Sequence, residues 1–185
     1  MPNWCKNNLK ISANGEKVLE LLELLKDEKG KMTFQKFMPM PEELEDTTKS
    51  VGDEMSKEES DKLIEKYGAN NWYDWRYENW GCKWDASESE FYVNDEGGWT
   101  VSFLTPWSPP INFVQALSKE FSDMEFAMQY ADESGGFPLG EATFTDGDVL
   151  YEAPDMDNAN LEELSDLVWN EGWVGNWGGT KGGNM

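Results

Sequence analysis

The sequence predicts an α+β domain in which helices cover one face of an antiparallel sheet. Three observations predict it: segments in which apolar and polar residues alternate, segments with apolar residues at helical spacing, and the order of the two kinds along the chain. A chain of 185 residues is long enough to bury a core without disulfide or metal support.

The first elements are a strand, a helix and a second strand. Residues 9–13 alternate apolar and polar side chains, which indicates a strand with one buried face. Apolar residues then recur three and four positions apart from Val18 to Leu25, which predicts a helix ending near Gly30. Residues 32–38 are interpreted as the second strand, stopped by two prolines, because proline cannot donate to a ladder.

Residues 42–80 are interpreted as a helical, aromatic-rich insertion on the surface of the domain. Their first part is charged, with a short helix predicted to end at Gly68. A dense aromatic segment follows from Asn71 to Asp85, and its first part has helical spacing.

A hairpin, a helix and a strand come next. The hairpin is predicted to turn through residues 95–98, with Trp99, Val101 and Phe103 on one face of its second strand. Ser108, followed by two prolines, predicts a helix start with the serine as cap. Residues 124–130 alternate again and predict a strand.

Residues 137–174 are interpreted as an appended hairpin and helix. Asp146-Gly147 predicts a tight turn between strands at 142–145 and 149–152. The final helix is predicted to start near Asn160, with Glu163 three residues after the cap. The glycine-rich residues 175–185 are expected to form a flexible tail.

Two βαβ-like halves with their helices on one face of an antiparallel sheet make a ferredoxin-like sandwich. The sequence therefore predicts one ferredoxin-like domain over residues 1–174, with no internal repeat and no domain linker.

The charge is strongly negative and unevenly distributed. The sequence contains 15 Lys and Arg and 37 Asp and Glu, which gives a net charge of −22. Because this charge repels phosphate backbones, direct nucleic-acid binding is not expected. No Lys or Arg occurs between Lys119 and Lys181, so we expect an acidic surface from Glu120 to Glu171 that contacts a basic protein partner. The expected contact residues are Asp146, Asp148, Asp155, Asp157, Glu162, Glu163, Asp166, Trp169 and Trp173.

Most catalytic devices are missing from the composition. Without histidine there is no Ser-His-Asp or Cys-His arrangement, and Cys5 and Cys82 alone cannot build a zinc site. No phosphate-binding or dinucleotide motif is present, so no cofactor is expected. A metal-dependent carboxylate hydrolase remains a third alternative. The two cysteines and the lack of an apolar span favour a cytoplasmic location with no membrane contact.

The aromatic segment offers an alternative function. Arg76 is the only arginine, and it lies among tryptophans and tyrosines, with Lys83 nearby. If these side chains lined a cleft, they could hold a flat anion such as a nucleotide by stacking and charge. The candidate residues are Arg76, Trp80, Lys83, Trp84 and Trp107. Otherwise the cluster is a folding core in which the two cations pair with Asp74, Glu78 or Asp85.

Four segments in the same order carry a resemblance to a known family. They are residues 1–9 (MPNWCKNNL), 37–44 (FMPMPEEL), 79–85 (NWGCKWD) and 105–110 (TPWSPP). Together they resemble the YubB-like ferredoxin-domain family of bacteriophages and conjugative plasmids, from residue 1 to about residue 150. The resemblance implies a ferredoxin-like fold and a mobile-element origin, but no reaction and no catalytic residues. The sequence departs from the family at Cys82, where a threonine is expected, and from Asp155 onward.

These observations favour a non-enzymatic accessory protein of a phage or plasmid. We expect it to bind and modulate a host or defence macromolecule through its negatively charged surface. The alternative is a protein that binds or sequesters a small anionic ligand at the aromatic segment.

Overall fold

The computed structural model describes residues 2–12, 16–47, 55–93, 97–152 and 160–170. In these ranges six strands form one sheet, in the order β2-β3-β1-β4-β5-β6, and every neighbouring pair is antiparallel. The strands are β1 (Trp4–Ser12), β2 (Ser87–Val93), β3 (Trp99–Pro106), β4 (Glu125–Asp132), β5 (Leu139–Thr145) and β6 (Asp148–Glu152). The helices are α1 (Glu16–Leu24), α2 (Lys57–Tyr67), α3 (Trp72–Asn79), α4 (Ile111–Glu120) and α5 (Leu161–Asn170).

The first four strands have the ferredoxin-like arrangement, as predicted. β1 lies between β3 and β4, and β2 pairs with the outer side of β3. α1 follows β1, and α4 connects β3 with β4. Both helices pack on one face of the sheet, because their apolar stripes share a buried cluster with strand residues such as Leu9, Ile11, Val101, Phe103, Phe126 and Met128.

The second strand predicted at residues 32–38 is wrong. Only Met32 forms an isolated bridge, with Lys26, and the following residues turn. Their main-chain donors are satisfied by side chains and by a turn: Phe34 N–H donates to Asp85 and Met38 N–H to the Phe34 carbonyl. The strand that takes this place in the sheet is β2, about fifty residues later in the chain.

Two helix boundaries also differ from the prediction. α1 ends at Leu24 rather than near Gly30, because the Asp27 carboxylate accepts hydrogen bonds from the N–H groups of Lys29 and Lys31 and closes a turn. α4 has no side-chain cap. The hydroxyl of Ser108, predicted to cap it, donates instead to the carbonyl of Gly81 at 2.8 Å.

The appended hairpin and helix are confirmed, and the helix lies on the opposite face of the sheet. Leu164 and Val168 of α5 pack with Ala131 and Leu139 in a small second cluster. The Asn8 side chain, which points away from the main core occupied by Leu9, donates to the carbonyl of Val168 at 2.9 Å. α5 begins as predicted, with the Asn160 side chain accepting from the N–H of Glu163.

α2 and α3 lie within the range interpreted as an insertion. α2 starts with a capping box between Ser56 and Glu59 and ends, as predicted, at Gly68 in the left-handed conformation. α3 starts at the cap Asn71, whose side chain accepts from the N–H of Asp74. α3 thus places the aromatic segment beside the start of α4.

Candidate functional sites: an aromatic cluster and an acidic surface

Trp80 belongs to the core and cannot line an open cleft. Its side chain is 0% exposed and packs edge-on against Phe34 and Trp75, with ring centroids 5.4 and 5.8 Å away. Its indole N–H donates to the Met38 carbonyl at 3.0 Å. The prediction that Trp80 contacts a ligand is therefore a misassignment, because the turned segment at residues 34–38 covers the ring.

Arg76 is half-buried and packs against aromatic rings. Its guanidinium lies 5.1 Å from the ring centre of Trp72 and 5.2 Å from that of Trp80. Nε donates to the Met40 sulfur at 3.2 Å, and Nη1 reaches the Lys83 carbonyl at 3.5 Å. Burial lowers the pKa of Arg76, and nearby carboxylates oppose that shift. No carboxylate in the described ranges forms an ion pair with it, so Arg76 mainly holds the aromatic segment together.

Lys83 is surrounded by four aromatic rings. Its ammonium lies 4.9 Å from the ring centres of Trp84 and Trp107, and 5.8 Å from those of Trp72 and Tyr73. Among the described residues it forms no ion pair with a carboxylate. The ring faces, which carry partial negative charge, therefore stabilise this cation in place of Asp74, Glu78 or Asp85.

Three of these rings are open to solvent. Tyr73, Trp84 and Trp107 are 38%, 36% and 40% exposed. Trp84 and Trp107 lie beside each other, with centroids 5.8 Å apart and planes tilted by 40°. Trp107 has a φ of 62°, a conformation unfavourable for a large residue, and its N–H donates to the Asn3 carbonyl. We call Tyr73, Lys83, Trp84 and Trp107 the aromatic patch; it is a surface rather than the predicted cleft.

Asp85 connects this region to the main core. One carboxylate oxygen accepts from the N–H groups of Phe34 and Ala86, and the other accepts from the Thr33 hydroxyl at 2.7 Å. Burial raises the pKa of Asp85, while these hydrogen bonds and the charge of Arg76 oppose the rise. The sequence pattern suggested Asp85 only as an ion-pair partner of Arg76 or Lys83, because Thr33 and Phe34 lie about fifty positions earlier in the chain.

The predicted acidic contact residues fall into two groups. Asp146 and Asp148 lie at the β5–β6 turn, which packs on α4 through a hydrogen bond from the Gln115 side chain to the Gly147 carbonyl. Glu162, Glu163 and Asp166 lie on α5, beside the other end of β5. The structure therefore places the two groups at opposite ends of β5. Asp155, Asp157 and Trp173 lie outside the described residues.

The acidic residues of both groups lack cationic partners in the described part of the chain. The ion pairs found there involve Glu43, Glu58, Asp61 and Asp123, and none involves a carboxylate between Glu125 and Asp166. We call the exposed carboxylates at the β5–β6 turn, on β6 and on α5 the acidic surface. Trp169 is only partly exposed, because its indole donates to the Ala131 carbonyl at 3.2 Å and packs in the second cluster.

Sequence reasoning missed an exposed apolar pair on β6. Leu150 and Tyr151 are 62% and 59% exposed. The sequence does contain a pattern that predicts exposure here. Residues 149–151 are three consecutive apolar residues in a strand, so the middle one must point to the opposite face of the sheet from the other two.

Two cysteines and many carboxylates, which are possible metal ligands, lie in the described residues. Cys5 and Cys82 are unpaired and buried, and burial raises the pKa of both thiols. No three Cys, Asp or Glu side chains in the described ranges converge as metal ligands. In the same ranges no helix is both long and apolar enough to cross a membrane.

Comparisons with known proteins bear on the fold. Residues 79–168, just under half of the chain, match a family model described as the ferredoxin-like domain in Api92-like protein. The structure is also similar to the crystal structure of a protein Api92 from Yersinia pseudotuberculosis, with a TM-score of 0.49 and 9% sequence identity. The superposition covers 83% of this chain and 99% of that chain. An overall likeness of that size carries no conclusion about function. No curated protein matches the sequence.

The family match confirms the predicted ferredoxin-like fold, over residues 79–168. It does not extend to the YubB-like relationship or to a phage or plasmid origin, which stay predictions. The part of the chain from the end of α3 to α5 is thus similar to the ferredoxin-like domain of Api92-like proteins.

Proposed function

We propose that this protein is a non-enzymatic binding protein that engages a basic macromolecule through its acidic surface. The observation that carries the proposal is the group of carboxylates between Glu125 and Asp166, which form no ion pair with Lys or Arg in the described ranges. A phage or plasmid accessory role, with a host or defence macromolecule as partner, is part of the same proposal and is motivated by the sequence resemblance.

The electrostatics favour fast encounter with a positively charged partner. A chain of net charge −22, with no Lys or Arg between Lys119 and Lys181, attracts basic surfaces over distances comparable with the Debye length. Such steering acts mainly on the association rate and weakens as salt is raised. Because Trp169 is tied to Ala131, we expect α5 to contribute charge rather than an aromatic anchor.

The experiment is a salt series with matched charge variants. The tagged protein is used to capture proteins from bacterial lysate, beside a variant with Glu162→Gln, Glu163→Gln and Asp166→Asn on α5. The control variant, Glu16→Gln, Glu20→Gln and Glu23→Gln, removes the same charge from exposed positions of α1. We expect a partner that is held at low salt, released at high salt and weakened only by the α5 variant. Retention that is independent of salt and of both variants contradicts the proposal.

A second candidate function is the binding of a flat anion on the aromatic patch. It is favoured by one observation: the Lys83 ammonium lies 4.9 Å from the ring centres of both Trp84 and Trp107, which are exposed, and it forms no carboxylate ion pair in the described ranges. A base could stack on either ring while a phosphate meets the ammonium. The negative field of the rest of the chain opposes anion binding.

Thermal stabilisation by nucleotides tests this second candidate. Lys83→Ala and Trp107→Ala are expected to remove a nucleotide-induced rise in Tm, whereas Lys29→Ala, an exposed lysine outside the patch, leaves it unchanged. Arg76 is not a suitable position, because its stacking on Trp72 and Trp80 contributes to the fold itself. No rise in Tm with any nucleotide excludes this candidate.

A further inference from the structure

We propose that β6 is a docking edge at which an extended basic segment of a partner adds a seventh strand to the sheet. This inference rests on the proposed function and names the form of the partner: a stretch with Lys or Arg at alternate positions. β6 is the last strand of the sheet, and no described residue pairs with its outer side.

The turn before β6 determines which of its main-chain groups are available. Asp146 and Gly147 both have positive φ, and they form a two-residue turn that joins Thr145 directly to Asp148. Such a turn is closed by a hydrogen-bonded pair, after which bonded and non-bonded pairs alternate. The main-chain groups of Asp148 and Leu150 therefore face β5. Those of Val149 and Tyr151 point outward, where an added strand would bind them.

The two edges of the sheet differ in a way that favours β6. At β2 the register shifts between Ser87 and Glu90, and Glu88 has a φ of 46°, so that edge is irregular. Irregularities of this kind prevent unwanted strand pairing. β6 pairs with β5 in unbroken register, contains no proline or lysine, and exposes Leu150 and Tyr151.

The side chains of β6 indicate a basic occupant. Asp148, Leu150 and Glu152 share one face, and Glu152 pairs across the strands with Glu141. This leaves two carboxylates around an exposed leucine, and the third, that of Glu141, already accepts a hydrogen bond from the Gln129 side chain. A strand carrying Lys, an apolar residue and Lys at alternate positions complements that row. A second copy of this chain does not, because antiparallel pairing of two β6 edges brings Asp148 against Glu152.

The experiment uses a designed peptide and its charge-reversed control. The probe is acetyl-Gly-Lys-Val-Leu-Val-Lys-Gly-amide, and the control carries Glu in place of both lysines. Amide hydrogen exchange is measured by NMR on the full chain at low salt. We expect the lysine peptide to slow exchange at Val149 and Tyr151 by about tenfold or more, since their N–H groups gain partners. Leu150 is already bonded to β5 and changes little. The glutamate peptide has no effect.

A proline at the outward position provides the matched variant. Tyr151→Pro removes an N–H that the β5 ladder does not use, so the sheet should tolerate it at this edge. Tyr151→Ala removes the same ring and keeps the N–H. We expect the proline variant to lose the peptide effect and the alanine variant to retain most of it.

The possible failures are distinguishable. Salt-dependent binding of the lysine peptide without slower exchange at Val149 and Tyr151 overturns the edge inference and leaves the acidic-surface proposal standing. If no basic peptide binds at low salt and the α5 variant captures the same proteins as the unmodified chain, both are overturned.

Discussion

The carboxylate of Asp85 accepts a hydrogen bond from the main-chain N–H of Phe34 at 2.7 Å, which ties the residues before β2 to the segment after α1. The same carboxylate binds Thr33 and the N–H of Ala86. One side chain thus satisfies donors that a strand ladder would otherwise satisfy, and it holds residues 33–34 outside the sheet. Phe34 is thereby packed against Phe113, with ring centroids 4.3 Å apart.

Removing the Asp85 carboxylate is expected to destabilise the fold. Asp85→Ala leaves the N–H groups of Phe34 and Ala86 without their acceptor. The cost is about 1–3 kcal/mol for a buried group, and it should be smaller for Ala86, which is partly exposed. Asp85→Asn keeps one acceptor oxygen and should cost less. Urea unfolding of the two variants measures the difference. Equal losses would show that the hydrogen bonds to Phe34 and Ala86 contribute little.

The ionisation of Asp85 gives a pH dependence with a defined sign. Burial raises its pKa above the ordinary 3.8, so the folded state binds this proton more tightly than the unfolded chain. The stabilisation is fully present below that ordinary value and is lost as the pH rises through the folded-state pKa. We expect the free energy of unfolding, relative to Asp85→Asn, to fall as the pH is raised from about 3.5 to about 7. A relative stability that increases instead would mean that the hydrogen bonds and Arg76 outweigh burial.

The order of most elements could be predicted from local patterns. Alternation identified β1, β3 and β4, and helical spacing identified α1, α4 and α5. The error at residues 32–38 arose because Thr33 and Phe34 are held by Asp85, and no local pattern reveals a partner so far along the chain. The Ser108 hydroxyl does not cap α4 because it is directed toward the carbonyl of Gly81, 27 positions earlier, a partner that no local pattern reveals.

The candidate sites could be predicted only as lists of residues. The sequence grouped Lys83, Trp84 and Trp107 with Trp80 because all four are aromatic or cationic and lie in the segments 79–85 and 105–110. In the structure Trp84 and Trp107 are partly exposed, whereas Trp80 lies in the core. The acidic residues were expected to act together. Their division between the β5–β6 turn and α5 follows from the packing of α5 on the second face of the sheet, which depends on Asn8 and Ala131.

Trp80 and Trp107 are expected to differ in their contribution to stability. Trp80→Ala removes a fully buried ring and its hydrogen bond to Met38, so it should cost about 3–5 kcal/mol. Trp107→Ala shortens a partly exposed side chain and should cost about 1 kcal/mol or less. Chemical denaturation of both variants tests this division. A large loss for Trp107→Ala would make the aromatic patch part of the core rather than a binding surface.

Alanine substitutions at Gly81 and Gly30 distinguish two contributions to the loss of stability: the left-handed backbone conformation and a steric clash of the added Cβ. Both have positive φ, 87° and 74°. A Cβ at Gly81 would lie 3.1 Å from the Ile111 nitrogen at the start of α4, whereas at Gly30 nothing lies within 4 Å. Gly30→Ala should therefore cost only the left-handed conformation, about 1–2 kcal/mol.

Gly81→Ala should cost more than Gly30→Ala, because the turn after α3 must also move away from α4. The comparison is made by urea unfolding, and the excess measures how tightly α3 is docked on α4. The hydrogen bond from the Phe113 N–H to the Trp80 carbonyl spans the same junction, so a shift there also displaces Lys83 and Trp84. Equal costs at the two glycines would mean that the junction yields easily and that the aromatic patch is not held rigidly by α4.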